Sequence, residues 1–132
     1  MSHLLSTQDY SFFMLLLAGL MPYLFTLFAK LGNKHPYNNH DPRAFLEKTE
    51  GRQRRANNAQ LNSFEAFPLF AVGVIVAHLK TGAAMEFYTL NLVSIGFVLT
   101  RLVYGFAYLA DLASVRSVVW FIGLLLACSL YI

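Results

Sequence analysis

Four apolar stretches, separated by polar or turn-forming residues, divide the chain. The first covers residues 11–31 and holds no charge before Lys30; at 1.5 Å per residue its 21 positions make about 31 Å of helix, close to the hydrocarbon thickness of a bilayer. Comparable stretches cover 56–79, 87–110 and 112–132, each of 21 to 24 residues. All four read as membrane-crossing helices, so the expected fold is all-α: an integral membrane four-helix bundle forming one domain over residues 1–132. Pro22 lies near the middle of the first span, where membrane helices tolerate proline because neighbours satisfy the freed carbonyl, and it predicts a local kink. Residues 32–55 form the main polar connection, with turn signals at His35-Pro36 and Asp41-Pro42. Lys80-Thr81-Gly82 predicts a tight turn after the second span, and residues around Asp111 to Ser114 join the third to the fourth. Such short connections make successive helices antiparallel.

Composition agrees with this pattern: 57% of the 132 residues are hydrophobic and 13% charged, against roughly 45–50% and 25% in soluble domains. Four crossings take roughly 80 residues, which leaves no room for a separate soluble domain. A disordered chain is excluded by the high hydrophobicity, and a disulfide framework by the single cysteine, Cys128. The first ten residues contain Asp9 and neither Lys nor Arg, unlike the basic start of a cleaved signal peptide, so the first stretch reads as a retained span. Of the ten basic residues, nine (Lys30, Lys34, Arg43, Lys48, Arg52, Arg54, Arg55, Arg101 and Arg116) flank the first and third connections, leaving Lys80 alone on the other side. The positive-inside rule then places both termini away from the cytoplasm, a topology that suits a bacterial inner membrane. Neither the net charge of +3 nor the basic run at 48–55 comes with aromatic interleaving or a DNA-reading motif, so no nucleic-acid partner is expected.

Candidate chemistry begins inside the second span. Arg55, Asn58, Asn62 and Glu65 are spaced three, four and three apart, which puts them within an arc of about 80° on one helix face. An ionised residue near a span centre costs about 2.5–3.5 kcal/mol on the insertion scale and normally faces the bundle interior or a watery cavity. A complementary set lies toward the same membrane face: Arg101, Tyr104 and Tyr108, then Arg116 and Ser117. Together these groups describe a pocket with a carboxylate, carboxamides, guanidinium groups and phenols, suited to a small zwitterionic ligand carrying carboxylates and an amine. Glutathione is such a ligand. Two blander readings stand beside this one: a structural polar clamp with Glu65 paired to Arg101 or Arg116, and an interfacial aromatic belt for the two tyrosines.

The stretch from Arg55 to Phe70, Arg-Ala-Asn-Asn-Ala-Gln-Leu-Asn-Ser-Phe-Glu-Ala-Phe-Pro-Leu-Phe, resembles the second-helix signature of the MAPEG family, the membrane-associated proteins of eicosanoid and glutathione metabolism. Its Asn62, Glu65, Pro68 spacing is the specific part. A second segment, Arg101 to Leu109 followed by Arg116-Ser117, resembles the end of the third helix and the start of the fourth in that family. The resemblance implies a homotrimer with glutathione as co-substrate, bound between neighbouring subunits near the cytoplasmic face. It also implies that Asn62 and Glu65 contact the glutathione backbone and amine, Tyr104 and Tyr108 line the third-helix side, and Arg116 or Ser117 approaches the sulfur. The chain departs from the family pattern at Asn58, where the position four before the motif asparagine is usually arginine; Arg54 and Arg55 stand about one turn earlier.

Three functions are compatible with these features. The first is a glutathione transferase, possessing or lacking peroxidase activity, that acts on apolar electrophiles arriving from the bilayer. The second is a non-enzymatic MAPEG-like protein whose polar stripe is structural, a reading supported by Asn58. A small multidrug transporter is the third, disfavoured because the first span lacks an acidic residue. His35, His40 and Asp41 match no zinc spacing, so no metal is expected. Cys128, His78 and Trp120 read as packing or interfacial residues, and Gly73, Gly96 and Gly105 as close-packing points between helices.

Overall fold

A computed structural model of the chain describes residues 8–33, 35–80 and 86–132. Its elements are helices: α1 (Ser11–Lys30), α2 (Pro42–Glu47), α3 (Gly51–Leu79), α4 (Phe87–Leu109) and α5 (Ala113–Ser129). No strand occurs among the described residues. Three of these helices, α1, α3 and α4, are long and apolar enough to cross a membrane. The fourth expected span, 112–132, contains the shorter apolar helix α5 of 17 residues, the low end of what a crossing needs.

The principal packing pairs are α1 with α3 and α4 with α5, joined by contacts of α4 with α3 and α1. Phe25, Phe70, Val74 and Leu90 are buried at the centre, and the rings of Phe70 and Phe97 stack across α3 and α4 with centroids 4.0 Å apart. Alanines at 29, 56, 59 and 77 are buried between the helices, where small side chains let backbones approach. Large apolar side chains such as Phe13, Leu20, Val118 and Phe121 face outward. Hydrophobic residues therefore lie both inside and outside, as a lipid-facing bundle requires.

At Gly105, α4 receives the Phe25 ring of α1 directly against its backbone. A Cβ built there would lie 1.7 Å from Cζ of Phe25, so the phenyl ring occupies the space a side chain would need. At Gly73 the added carbon would meet the Tyr131 ring at 2.9 Å and Leu130 Cβ at 3.0 Å. The expectation of close packing at these glycines is met. Both prolines inside long helices, Pro22 in α1 and Pro68 in α3, leave their helices continuous.

Two boundaries differ from the sequence expectation. First, α3 begins at Gly51 rather than near residue 56. Arg and Gln are good helix formers, so the basic run continues the helix outward instead of ending the polar loop. The Gln53 carboxamide ties this extension to the end of α1, donating to Leu31 O at 3.1 Å and Gly32 O at 3.3 Å. With 29 residues, α3 is about 44 Å long and its first turns extend beyond the hydrocarbon thickness. Second, Asp41-Pro42 starts a helix rather than only a turn. The Asp41 carboxylate accepts a hydrogen bond from Ala44 N at 3.1 Å, and Pro42 occupies the first helical turn, where its fixed φ and missing N–H cost nothing.

Between α4 and α5 the connection is as short as expected. Leu112 N donates to Ala107 O at 2.9 Å and Asp111 N to Tyr108 O at 3.2 Å, the two-bond closure of a Schellman motif. That closure requires a left-handed residue, and Asp111 supplies it at φ 63°. At the opposite end of the bundle, Ser11 Oγ lies 2.6 Å from Asp9 Oδ1 and 2.9 Å from His78 Nε2. The His78 ring also stacks on Phe12 at 4.5 Å, which makes His78 a polar packing residue. Thr81 and Gly82 of the expected tight turn lie outside the described residues.

Candidate functional site

Helix periodicity brings most of the candidate residues into one connected group. Asn62, two turns after Arg55 on the same face of α3, meets Arg101 of the antiparallel helix α4. Arg101 Nη2 donates to Asn62 Oδ1 at 2.7 Å, and Asn62 Nδ2 donates to Glu65 Oε2 at 3.2 Å. A single carboxamide therefore links the guanidinium to the carboxylate without a direct ion pair. Arg101 is only 4% exposed, whereas Glu65 is exposed.

The group continues along α4 into α5. The Arg101 guanidinium lies 4.2 Å from the centroid of Tyr104, one helical turn on, a cation–π contact that partly replaces lost hydration. Tyr104 meets Tyr108 edge to face at 5.6 Å, and Arg116 from α5 lies over the Tyr108 ring at 4.3 Å. The Asp111 turn makes the last contact possible by reversing the chain within a few residues of Tyr108. The resulting order is Glu65, Asn62, Arg101, Tyr104, Tyr108, Arg116, running from the middle of α3 to the α4–α5 end.

Electrostatically the site is incomplete. Among the described residues, no carboxylate reaches salt-bridge distance of Arg101, and its Nε is buried without a hydrogen-bond partner. A buried cation without a counter-charge is costly. Neither Arg101 nor Arg116 pairs directly with Glu65; Arg101 reaches it only through Asn62.

Arg55 and Ser117 are placed elsewhere. Arg55 turns to the α4–α5 connection, where Nη2 donates to Leu109 O at 3.4 Å and Nη1 lies 3.9 Å from Asp111 Oδ2. A cation is favourable there because helix C-termini carry partial negative charge. Ser117 is exposed and donates to Ala113 O of its own helix at 3.1 Å. Asn58 is half-buried one turn before Asn62. Among the described residues no three His, Cys, Asp or Glu side chains converge on a possible metal position.

A groove of about 170 Å³ opens beside the polar group, lined by Asn62, Glu65 and Arg101 on one side and by Phe97, Trp120 and Gly123 on another. Trp120 was expected only to pack or to sit at the interface, yet it forms part of this wall. The signal was present in the spacing: Arg116, Trp120, Gly123 and Ala127 recur at four, three and four, one face of α5.

A model of the MAPEG family matches residues 10–132, nearly the whole chain. The chain belongs to the MAPEG family. Neither a curated protein nor a solved structure matches it at a significant level. Within this MAPEG chain, the polar residues of the motif helix and of the α4–α5 segment form one continuous contact series, although they are separated by 36 positions between Glu65 and Arg101.

Proposed function

We propose that the protein is an integral membrane, glutathione-dependent transferase that crosses the bilayer with four helices, α5 included, and works as a homotrimer. The observation that carries this reading is Arg101, a buried guanidinium held by Asn62 and Tyr104 and, among the described residues, in direct contact with no carboxylate, Glu65 being reached only through Asn62. A glutathione carboxylate is the counter-charge such a site needs, and exposed Glu65 is the matching acceptor for the glutathione ammonium group. Asn58, Asn62, Tyr104 and Tyr108 complete the contact surface assigned to glutathione, with Asn58 at its outer end; Arg55, turned to Leu109 and Asp111, stays outside it.

The small size of the groove supports a neighbouring copy of the chain, and the trimer is the assembly that the family resemblance implies. A groove of about 170 Å³ is smaller than the roughly 300–1,000 Å³ of ordinary ligand pockets, so a second chain against Glu65 would supply the missing wall. The apolar electrophile would enter from the bilayer along the Phe97–Trp120 side. A free thiol titrates near 8.5, and lowering that by about two units takes roughly 2.7 kcal/mol of selective thiolate stabilisation. One charge-assisted hydrogen bond, worth about 1.5–3 kcal/mol, supplies most of it. Arg116 is the donor assigned this role, with Ser117 next to it as the alternative. The thiolate attacks the electrophilic carbon, and the displaced group leaves with the electron pair; attack on a hydroperoxide oxygen instead breaks the O–O bond, releases the alcohol after protonation and leaves a sulfenic acid that a second glutathione converts to the disulfide and water. The basic α1–α3 connection and the basic α4–α5 end would face the cytoplasm, with both termini opposite.

A non-enzymatic MAPEG protein is the competing reading, and Arg55 favours it. That side chain is engaged by Leu109 and Asp111, so it does not stand in for the family arginine that Asn58 replaces. Isothermal titration of glutathione into the detergent-purified protein separates the two. Saturable binding that is weakened at least tenfold by Arg101→Met and by Glu65→Gln supports the transferase. Absence of binding at millimolar glutathione in folded, oligomeric protein supports the structural alternative.

A further inference from the structure

A second concavity lies apart from the groove beside Glu65 and Arg101. It is an open cavity of about 890 Å³ between the end of α1 and the start of α3, lined by Asn33, His35, Asn38, Phe45, Lys48 and Glu50 among others. Its size falls within the range of ordinary small-ligand sites. Gly32, just past the last residue of α1, and Gly51, the first residue of α3, both border it. Because α1 has 20 apolar-rich residues, enough to cross a hydrocarbon core, its end and the cavity sit at the depth of lipid headgroups.

Charge and shape both favour a phospholipid. Residues 30–55 contain seven basic and three acidic side chains, an excess of the kind that draws anionic headgroups to a membrane surface. Gln53 fixes one wall by holding the carbonyls of Leu31 and Gly32. A second wall, at Phe45, is held by Tyr37, whose ring meets Phe45 edge to face at 5.2 Å while Lys30 Nζ lies 4.3 Å from the centroid of the Tyr37 ring. Leu27 and Leu31, one turn apart on the outer face of α1, are 59% and 65% exposed and offer an apolar track for acyl chains immediately before the cavity.

We propose that the α1–α3 cavity binds the phosphate headgroup of an anionic phospholipid, with Lys48 and His35 toward the phosphate. Glu50 and Asn38 accept hydrogen bonds from headgroup hydroxyls, and the acyl chains lie along Leu27 and Leu31. This site is independent of glutathione binding and of catalysis.

Native mass spectrometry of the full chain, purified in neutral detergent, tests the assignment by comparing retained phosphatidylglycerol with phosphatidylcholine of the same acyl length. Preferential retention of phosphatidylglycerol is expected. Lys48→Gln should lower its occupancy about fivefold, the effect of one surface cation; Lys48→Arg should keep it near that of the unaltered chain, and Arg43→Gln, which removes a cation outside the cavity lining, should lower it clearly less than Lys48→Gln. Equal retention of the two lipids overturns the proposal, as does an equal loss in Lys48→Gln and Arg43→Gln, which would indicate diffuse charge. Displacement of the lipid by millimolar inorganic phosphate also overturns it, in favour of a soluble-phosphate site. Lipid preference in the unaltered chain is read without any variant, so the test does not depend on how a variant folds.

Discussion

Arg101 on α4 donates to Asn62 on α3 across 2.7 Å, and the same carboxamide donates onward to Glu65. Asn62 is therefore a structural partner of Arg101 that the proposed glutathione site also uses, and the two roles separate by mutation. Asn62→Ala leaves a buried guanidinium short of an acceptor, which should lower stability by about 1–3 kcal/mol and also weaken glutathione binding. Arg101→Met removes the charge along with the need for it, so thermal stability in detergent should be retained or raised while binding is lost. Equal destabilisation by the two variants, with glutathione affinity untouched, would point to a purely structural clamp.

Gly105 lies directly against the Phe25 ring. Because a Cβ at that position would stand 1.7 Å from Cζ of Phe25, Gly105→Ala must shift the ring or separate α1 from α4. Overpacking of this kind costs about 1–3 kcal/mol. The melting temperature in detergent should fall clearly, and Phe25→Leu in the same chain should recover part of the loss. A melting temperature equal to that of the unaltered protein would mean that α1 and α4 do not meet here.

Asp111 holds φ at 63°, a conformation that glycine adopts without a side-chain penalty. The opposing contribution is its 3.9 Å pairing with Arg55, in which the Asp111 side chain is 70% exposed, and such exposed pairs contribute little. Asp111→Gly is therefore expected to stabilise the protein by roughly 0.5–1 kcal/mol, and Asp111→Val to destabilise it by more than that. Thermal melts of the two variants would give opposite signs.

Much of this architecture is legible in the chain itself. The 3.6-residue spacing of Asn62 and Glu65, together with the Arg101-Tyr104-Tyr108 run, identifies the faces that meet, because an interior polar residue in a span has few places to go. Gly105 and Gly73 announce close contacts through the absence of a side chain, although only the fold identifies Phe25 and Tyr131 as their partners. Arg55 leaves the face that its spacing assigns to it. Periodicity puts it on the Asn62 face, but a long flexible side chain near a helix start is free to follow the strongest local field, which here is the carbonyl end of α4 beside Asp111. Helix α2 and the early start of α3 were obscured by the Pro, Asp and Gly that mark turns and helix starts alike. Trp120 was missed because its role appears only when Arg116, Gly123 and Ala127 are read with it as one face.

The position of Arg55 carries its own expectation. Held at Leu109 and Asp111, it should contribute to the α4–α5 end and little to ligand affinity. Arg55→Ala should change the glutathione dissociation constant by less than about threefold while lowering the melting temperature. A loss in affinity as large as that in Arg101→Met would restore Arg55 as a carboxylate clamp.

The most direct test of the account is the ultraviolet thiolate absorbance of glutathione titrated into the detergent-purified protein at neutral pH, with Arg116→Ala measured alongside. The account predicts a saturable thiolate signal in the unaltered protein. In Arg116→Ala that signal should be lost while glutathione still binds, because Arg101 and Glu65 remain; removing one charge-assisted hydrogen bond is worth about one to two units of thiol pKa. Bound glutathione that shows no thiolate in the unaltered protein, or an undiminished signal in Arg116→Ala, would contradict it.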